Sequence, residues 1–107
     1  MAPRNYFTPD EITLCAYAAM YDARDFGGDG RIESLTHRSP ASIKMKIQNI
    51  AAMLDEAGIP RLSSVSPLTG RPPGEHGRTT NWEQVHRLTR LSRSDFLSRC
   101  AAILSSR

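Results

Sequence analysis

Apolar residues in this chain recur at three- and four-residue intervals, and no stretch keeps the two-residue alternation of a half-buried strand. Ile12, Cys15, Ala16, Ala19 and Met20 form the first run. In front of it, Thr8-Pro9-Asp10-Glu11 combines an N-cap hydroxyl, a proline at the first helical position and a glutamate three residues after the cap. The pattern predicts a helix from Thr8 to about residue 23. The glycines of Gly27-Gly28-Asp29-Gly30 break it. Ile32 and Leu35 define a second helix of about two turns over Arg31 to His37. After only two or three connecting residues, Ser39-Pro40 starts a third, whose core stripe is Ile43, Ile47, Ile50 and Leu54 and whose stop is Gly58 followed by Pro60.

Residues 59–79 are rich in proline and glycine without a sustained period, the composition of a long loop. Thr80-Asn81-Trp82-Glu83 offers a second capping box, and Trp82, Val85 and Leu88 continue it into a fourth helix. Ser92-Arg93-Ser94-Asp95 caps a fifth, which carries Phe96, Leu97, Cys100, Ile103 and Leu104. The expected fold is therefore all-α, a small bundle of about five helices in a single domain over 1–107. A tri-helical head over 8–58 contains a helix-turn-helix pair, the loop covers 59–79, and two C-terminal helices occupy 80–107.

Composition narrows the function classes. A chain of 107 residues supports one modest core, and 39% hydrophobic with 23% charged residues describes a globular protein. No apolar run approaches the length of a membrane span, and the N-terminal residues lack the apolar segment of a secretory signal, so no membrane partner and a cytoplasmic location are expected. Cys15 and Cys100 sit inside apolar helical patterns with no C-x-x-C spacing, which reads as buried thiols and not as a zinc site. Lys and Arg number 14 against 11 acids, for a net charge of +3. Acids prevail up to residue 37 and bases from Arg38 onward, so any positive field belongs to the third helix and beyond.

That helix carries the candidate chemistry. At about 100° per residue, Ser42, Lys46 and Asn49 lie along an edge adjoining the core stripe, with Met45 on the far side beside them. Asparagine can pair bidentately with adenine, lysine can donate to guanine or phosphate, and methionine can touch a thymine methyl. Ser39 with the helix N-terminus can receive a phosphate, and Arg38 and Lys44 flank the edge as backbone contacts. The same face also fits an ordinary solvated surface with a capping serine. Arg71 and Arg78 in the loop could act as an arm that enters a minor groove or touches phosphate, or as solvent-exposed slack.

The run Arg38-Ser39-Pro40-Ala41-Ser42-Ile43-Lys44-Met45-Lys46-Ile47-Gln48-Asn49 resembles the R-x-x-x-S-(I/V)-x-M-(K/R)-x-x-N segment in N-terminal modules of HNH-type restriction-like nucleases. It also resembles the turn and third helix of homeodomain-like, Myb-type DNA binders. The resemblance implies DNA recognition by the third helix, with Arg38, Ser42, Lys46 and Asn49 as the matching positions. His37, His76 and His86 do not form the paired-histidine and asparagine ββα-metal signature of the nucleases, so the chain is expected to bind DNA without cutting it.

Other chemistry is weakly signposted. The segment from Asp25 approximates a calcium loop, but Gly27 replaces a ligand and Thr36 stands where the bidentate glutamate belongs, so it reads as a helix connection. No Ser/His/Asp arrangement, reactive-cysteine setting or strand-preceded glycine cradle is present, and neither a cofactor nor a metal is expected. The expected function is a recognition or targeting module for double-stranded DNA, unmodified or modified, in a defence, restriction-like or mobile-element system, acting beside a nuclease or other protein partner. The competing reading is a protein-interaction module, or a small phage or host regulator, that uses the Met45 surface or the loop on a protein; a net charge of only +3 keeps it open.

Overall fold

In the computed structural model, which describes residues 7–63, 65 and 82–106, the helical expectation holds: the described residues form five α-helices and one 3₁₀ turn, with no strand. Helix α1 spans Pro9–Met20, the 3₁₀ turn Ala23–Phe26, α2 Asp29–Thr36, α3 Pro40–Glu56, α4 Trp82–Leu88 and α5 Arg93–Ser105.

The capping box at the start of α1 is formed: the Glu11 N–H donates to Thr8 Oγ1 at 3.3 Å and the Thr8 N–H donates to Glu11 Oε1 at 2.7 Å. Every residue from Glu11 to Met20 is buried, not only the stripe that the spacing marks. Small residues explain this, because Ala16, Ala18 and Ala19 let neighbouring helices approach on several sides, and α1 touches α2, α3, α4 and α5. The helix stops at Met20, short of residue 23, and the chain turns through the 3₁₀ segment with Asp22 accepting the Arg24 N–H at 2.9 Å. Gly27 and Gly28 follow with φ of 115° and 98°, values at which a side chain is strained. That pair of glycines lets α2 begin at Asp29, two residues before Arg31.

Between α2 and α3 lie three residues, of which His37 adopts a left-handed φ of 58°. Ser39 caps α3 by accepting the Ser42 N–H at 3.1 Å, and Ile43, Ile47, Ile50 and Leu54 are all buried as their spacing requires. The far end of α3 is a Schellman motif: the Gly58 N–H donates to Asp55 O at 3.1 Å and the Ile59 N–H to Leu54 O at 2.9 Å, with Gly58 at φ 71°. Arg61 then grips Asp55 through Nε at 2.7 Å, and the Leu62 N–H donates to Ala19 O at 3.0 Å, tying the segment after α3 to the end of α1.

Helices α4 and α5 pack on α1, and Ser92 caps α5 by accepting the Asp95 N–H at 3.1 Å. Tyr17, fully buried, lies within 5.1 Å of the Tyr21 ring, 5.8 Å of Phe26 and 5.2 Å of Phe96, measured between centroids, so α1, the 3₁₀ turn and α5 share one aromatic cluster. Its hydroxyl donates to Asp25 Oδ2, which also accepts from Arg93 Nη2 at 2.7 Å. The Asp25 carboxylate is thus engaged by its own fold. Cys15 and Cys100 are buried and free, and burial pushes both thiols up to about 12. No described helix is long and apolar enough to cross a membrane.

Candidate nucleic-acid interface

Helix α3 divides into two halves with different surroundings. From Asn49 to Leu54 every residue is buried, whereas the preceding turns keep Ala41, Lys44 and Met45 exposed and Ser42, Lys46 and Gln48 half-buried. Those six positions distribute over two edges. Ala41, Lys44, Met45 and Gln48 follow helical spacing along the outward edge, and Ser42 and Lys46 fall on the opposite flank.

The outward edge carries the one large hydrophobic side chain that is exposed among the described residues, Met45 at 58%. Lys44 and Gln48 also line a cleft of about 460 Å³ between α2 and α3, whose apolar side is Ile43, Ile47 and Val65 and whose acidic side is Asp29 and Glu33. Ser39 is exposed, but its hydroxyl serves the helix by accepting the Ser42 N–H, so Ser39 is engaged through its side chain and Ser42 through its backbone alone.

Three of the residues selected from sequence lie elsewhere than expected. Arg38 does not flank the helix as a solvent-facing contact: its side chain is 7% exposed and makes a two-point ion pair with Glu11, Nε to Oε2 at 2.8 Å and Nη2 to Oε1 at 3.0 Å. Its guanidinium also lies 3.9 Å from the Phe7 ring centroid. Burial tends to raise the Glu11 carboxyl, but the hydrogen bonds from Arg38 and the Thr8 N–H outweigh it and hold the pKa below its ordinary value. Lys46 is drawn into the same corner, with Nζ 5.5 Å from the Phe7 centroid, and burial together with the nearby Arg38 charge lowers its pKa.

Asn49 does not project outward with Ser42 and Lys46. It is 7% exposed and its Oδ1 is buried without a hydrogen-bond partner among the described residues. The periodic pattern misplaces it because the stripe of Ile43, Ile47, Ile50 and Leu54 marks only one buried side, while α3 from Asn49 to Leu54 is covered all round, Ala51, Ala52 and Met53 included. Arg71 and Arg78 lie outside the described residues.

One residue of this surface, Gln48, was not selected from sequence. Gln48 stands four residues after Lys44 on the same edge, a spacing that could have singled it out. Comparison of the chain with family models, with curated proteins and with solved structures finds no match.

Proposed function

We propose that this chain is a DNA-binding recognition or targeting module that offers the N-terminal half of α3 to the major groove, in a defence, restriction-like or mobile-element setting in the cytoplasm. The observation that carries this reading is the outward edge of α3, where exposed Met45 sits between Lys44 and Gln48 directly after a three-residue turn from α2. In helix-turn-helix docking it is the N-terminal residues of the second helix that reach base edges. Gln48 has the donor and acceptor needed for adenine, Met45 offers an apolar contact to a thymine methyl, and Lys44 donates to guanine or phosphate. Arg38, Lys46 and Asn49 hold α3 at its angle to α1 and do not touch bases in this reading. The module binds, and a partner does any chemistry.

The test is an anisotropy titration of random-sequence duplex, unmodified and cytosine-methylated, at two salt concentrations. The wild type should bind with a steep loss on raising salt. Lys44→Ala/Gln48→Ala should weaken binding by about 1–3 kcal/mol, an effect that belongs to a base-reading edge. Absence of binding at low salt overturns the proposal.

A second reading, a protein-interaction module, rests on the cleft beside that edge. Asp29 and Glu33 face it across an apolar floor, and carboxylates there would repel phosphate. A partner held mainly by exposed Met45 would bind with little dependence on salt, so the two readings part in the same titration.

A further inference from the structure

Four of the eight described arginines are paired with carboxylates. Arg24, Arg38, Arg61 and Arg93 each hold a carboxylate at 2.7 or 2.8 Å, respectively Asp22, Glu11, Asp55 and Asp25. Arg87 on α4 and Arg99 on α5 are exposed and hold none among the described residues, yet both line one cleft of about 430 Å³ where the first turn of α1 meets α4 and α5. That volume falls within the roughly 300–1,000 Å³ of small-ligand sites. Buried Leu88 and half-buried Leu91 give the cleft an apolar side. Gln84, also in its wall, donates from Nε2 to Pro9 O at 2.8 Å, which fixes α4 against the start of α1 and presets the walls without a ligand.

We propose that this cleft binds a phosphate monoester carried on an apolar body. Two guanidinium forks present planar pairs of N–H donors, the geometry that suits phosphate oxygens. The two guanidiniums outnumber the one carboxylate of the wall, Asp10, so the cleft stays positive and attracts a monoester, which carries about −1.5 to −2 at neutral pH, more strongly than a singly charged carboxylate or phosphodiester. Leu88 and Leu91 take the apolar body of the ester. Asp10, also in the wall, disfavours a second phosphate and so limits the ligand to one. This site lies away from the α3 edge and stands whether or not that edge reads DNA.

The experiment follows the arginine Nε–Hε resonances by two-dimensional nitrogen NMR while phenyl phosphate, inorganic phosphate or diphenyl phosphate is added to the full chain. Phenyl phosphate should shift Arg87 and Arg99 saturably, with a Kd of about 1 mM or lower, and each of Arg87→Gln and Arg99→Gln should weaken it about tenfold. Both side chains are exposed, so the variants should keep the wild-type backbone spectrum. Arg90, outside the cleft, should not respond. Shifts no larger at Arg87 and Arg99 than at Arg90, equal affinity for the diester or for inorganic phosphate, or no effect of the substitutions would each overturn the proposal. A 5′-phosphorylated oligonucleotide that displaces phenyl phosphate, where its unphosphorylated form does not, would identify a nucleic-acid end as the source of the monoester; without displacement the source is a free ester.

Discussion

Asn49 holds a buried amide carbonyl with no hydrogen-bond partner among the described residues, and Arg38 a buried charge engaged by Glu11; opposite consequences follow for the two. An unsatisfied buried acceptor costs about 1–3 kcal/mol, so Asn49→Leu should raise unfolding stability by about 1 kcal/mol in urea titrations, with DNA affinity unchanged. A loss of affinity without loss of stability would return Asn49 to the reading surface. Removing one member of a buried ion pair leaves the other uncompensated, and Glu11→Gln should cost roughly 3 kcal/mol at neutral pH. The sign of the pH dependence follows from the depressed Glu11 pKa. Its contribution is present above the unfolded-state value of about 4.3 and is lost as pH falls through the lower folded-state value, because only the unfolded chain takes up the proton first. Melting temperature measured against pH should fall on the acid side in the wild type and fall less steeply in Glu11→Gln.

At the scale of elements, α3 is delimited by two local devices. Ser39 satisfies an orphan N–H at its start, and Gly58 supplies the left-handed residue of the Schellman motif at its end. Ser39→Ala and Gly58→Ala should each destabilise by about 1 kcal/mol, the first through the lost cap and the second through a side chain at φ 71°. Each loss should appear as a drop of about 4–8 °C in melting temperature. Both devices are legible in sequence, since Ser-Pro before a periodic run and Gly-x-Pro after it carry their own dihedral and hydrogen-bonding reasons. The start of α2 is less so: Gly27 and Gly28 read only as a break, and it takes their positive φ values to show that the helix resumes at Asp29.

Across the molecule, α1 is the element on which the rest converges, and the tie among Tyr17, Asp25 and Arg93 joins it to the 3₁₀ turn and α5. Cys15 and Cys100 report on that assembly. With both thiols buried and pushed up to about 12, iodoacetamide at pH 8 should modify them only as fast as the fold opens, and modification rates in increasing urea should track unfolding measured by circular dichroism. Rapid alkylation in native buffer would contradict the burial.

Helix type and number among the described residues, the caps of α1, α3 and α5 and the Ile43, Ile47, Ile50 and Leu54 stripe were determined by sequence alone, because each rests on contacts within a few residues: 3.6-residue periodicity, a hydroxyl before a proline, a glycine after the last turn; the Thr80-Asn81 cap expected before α4 lies outside the described residues. Which side chains of α3 remain in solvent was decided only by tertiary structure. Periodicity assigns one inward stripe and treats the remainder as surface, but burial depends on how many neighbours a segment has, and those come from distant parts of the chain. Glu11 lies 27 residues from the arginine that it holds, and no local pattern encodes that meeting. Asn49, on a side that the stripe leaves open, is covered where α3 runs into the protein, while Met45 one turn earlier stays exposed.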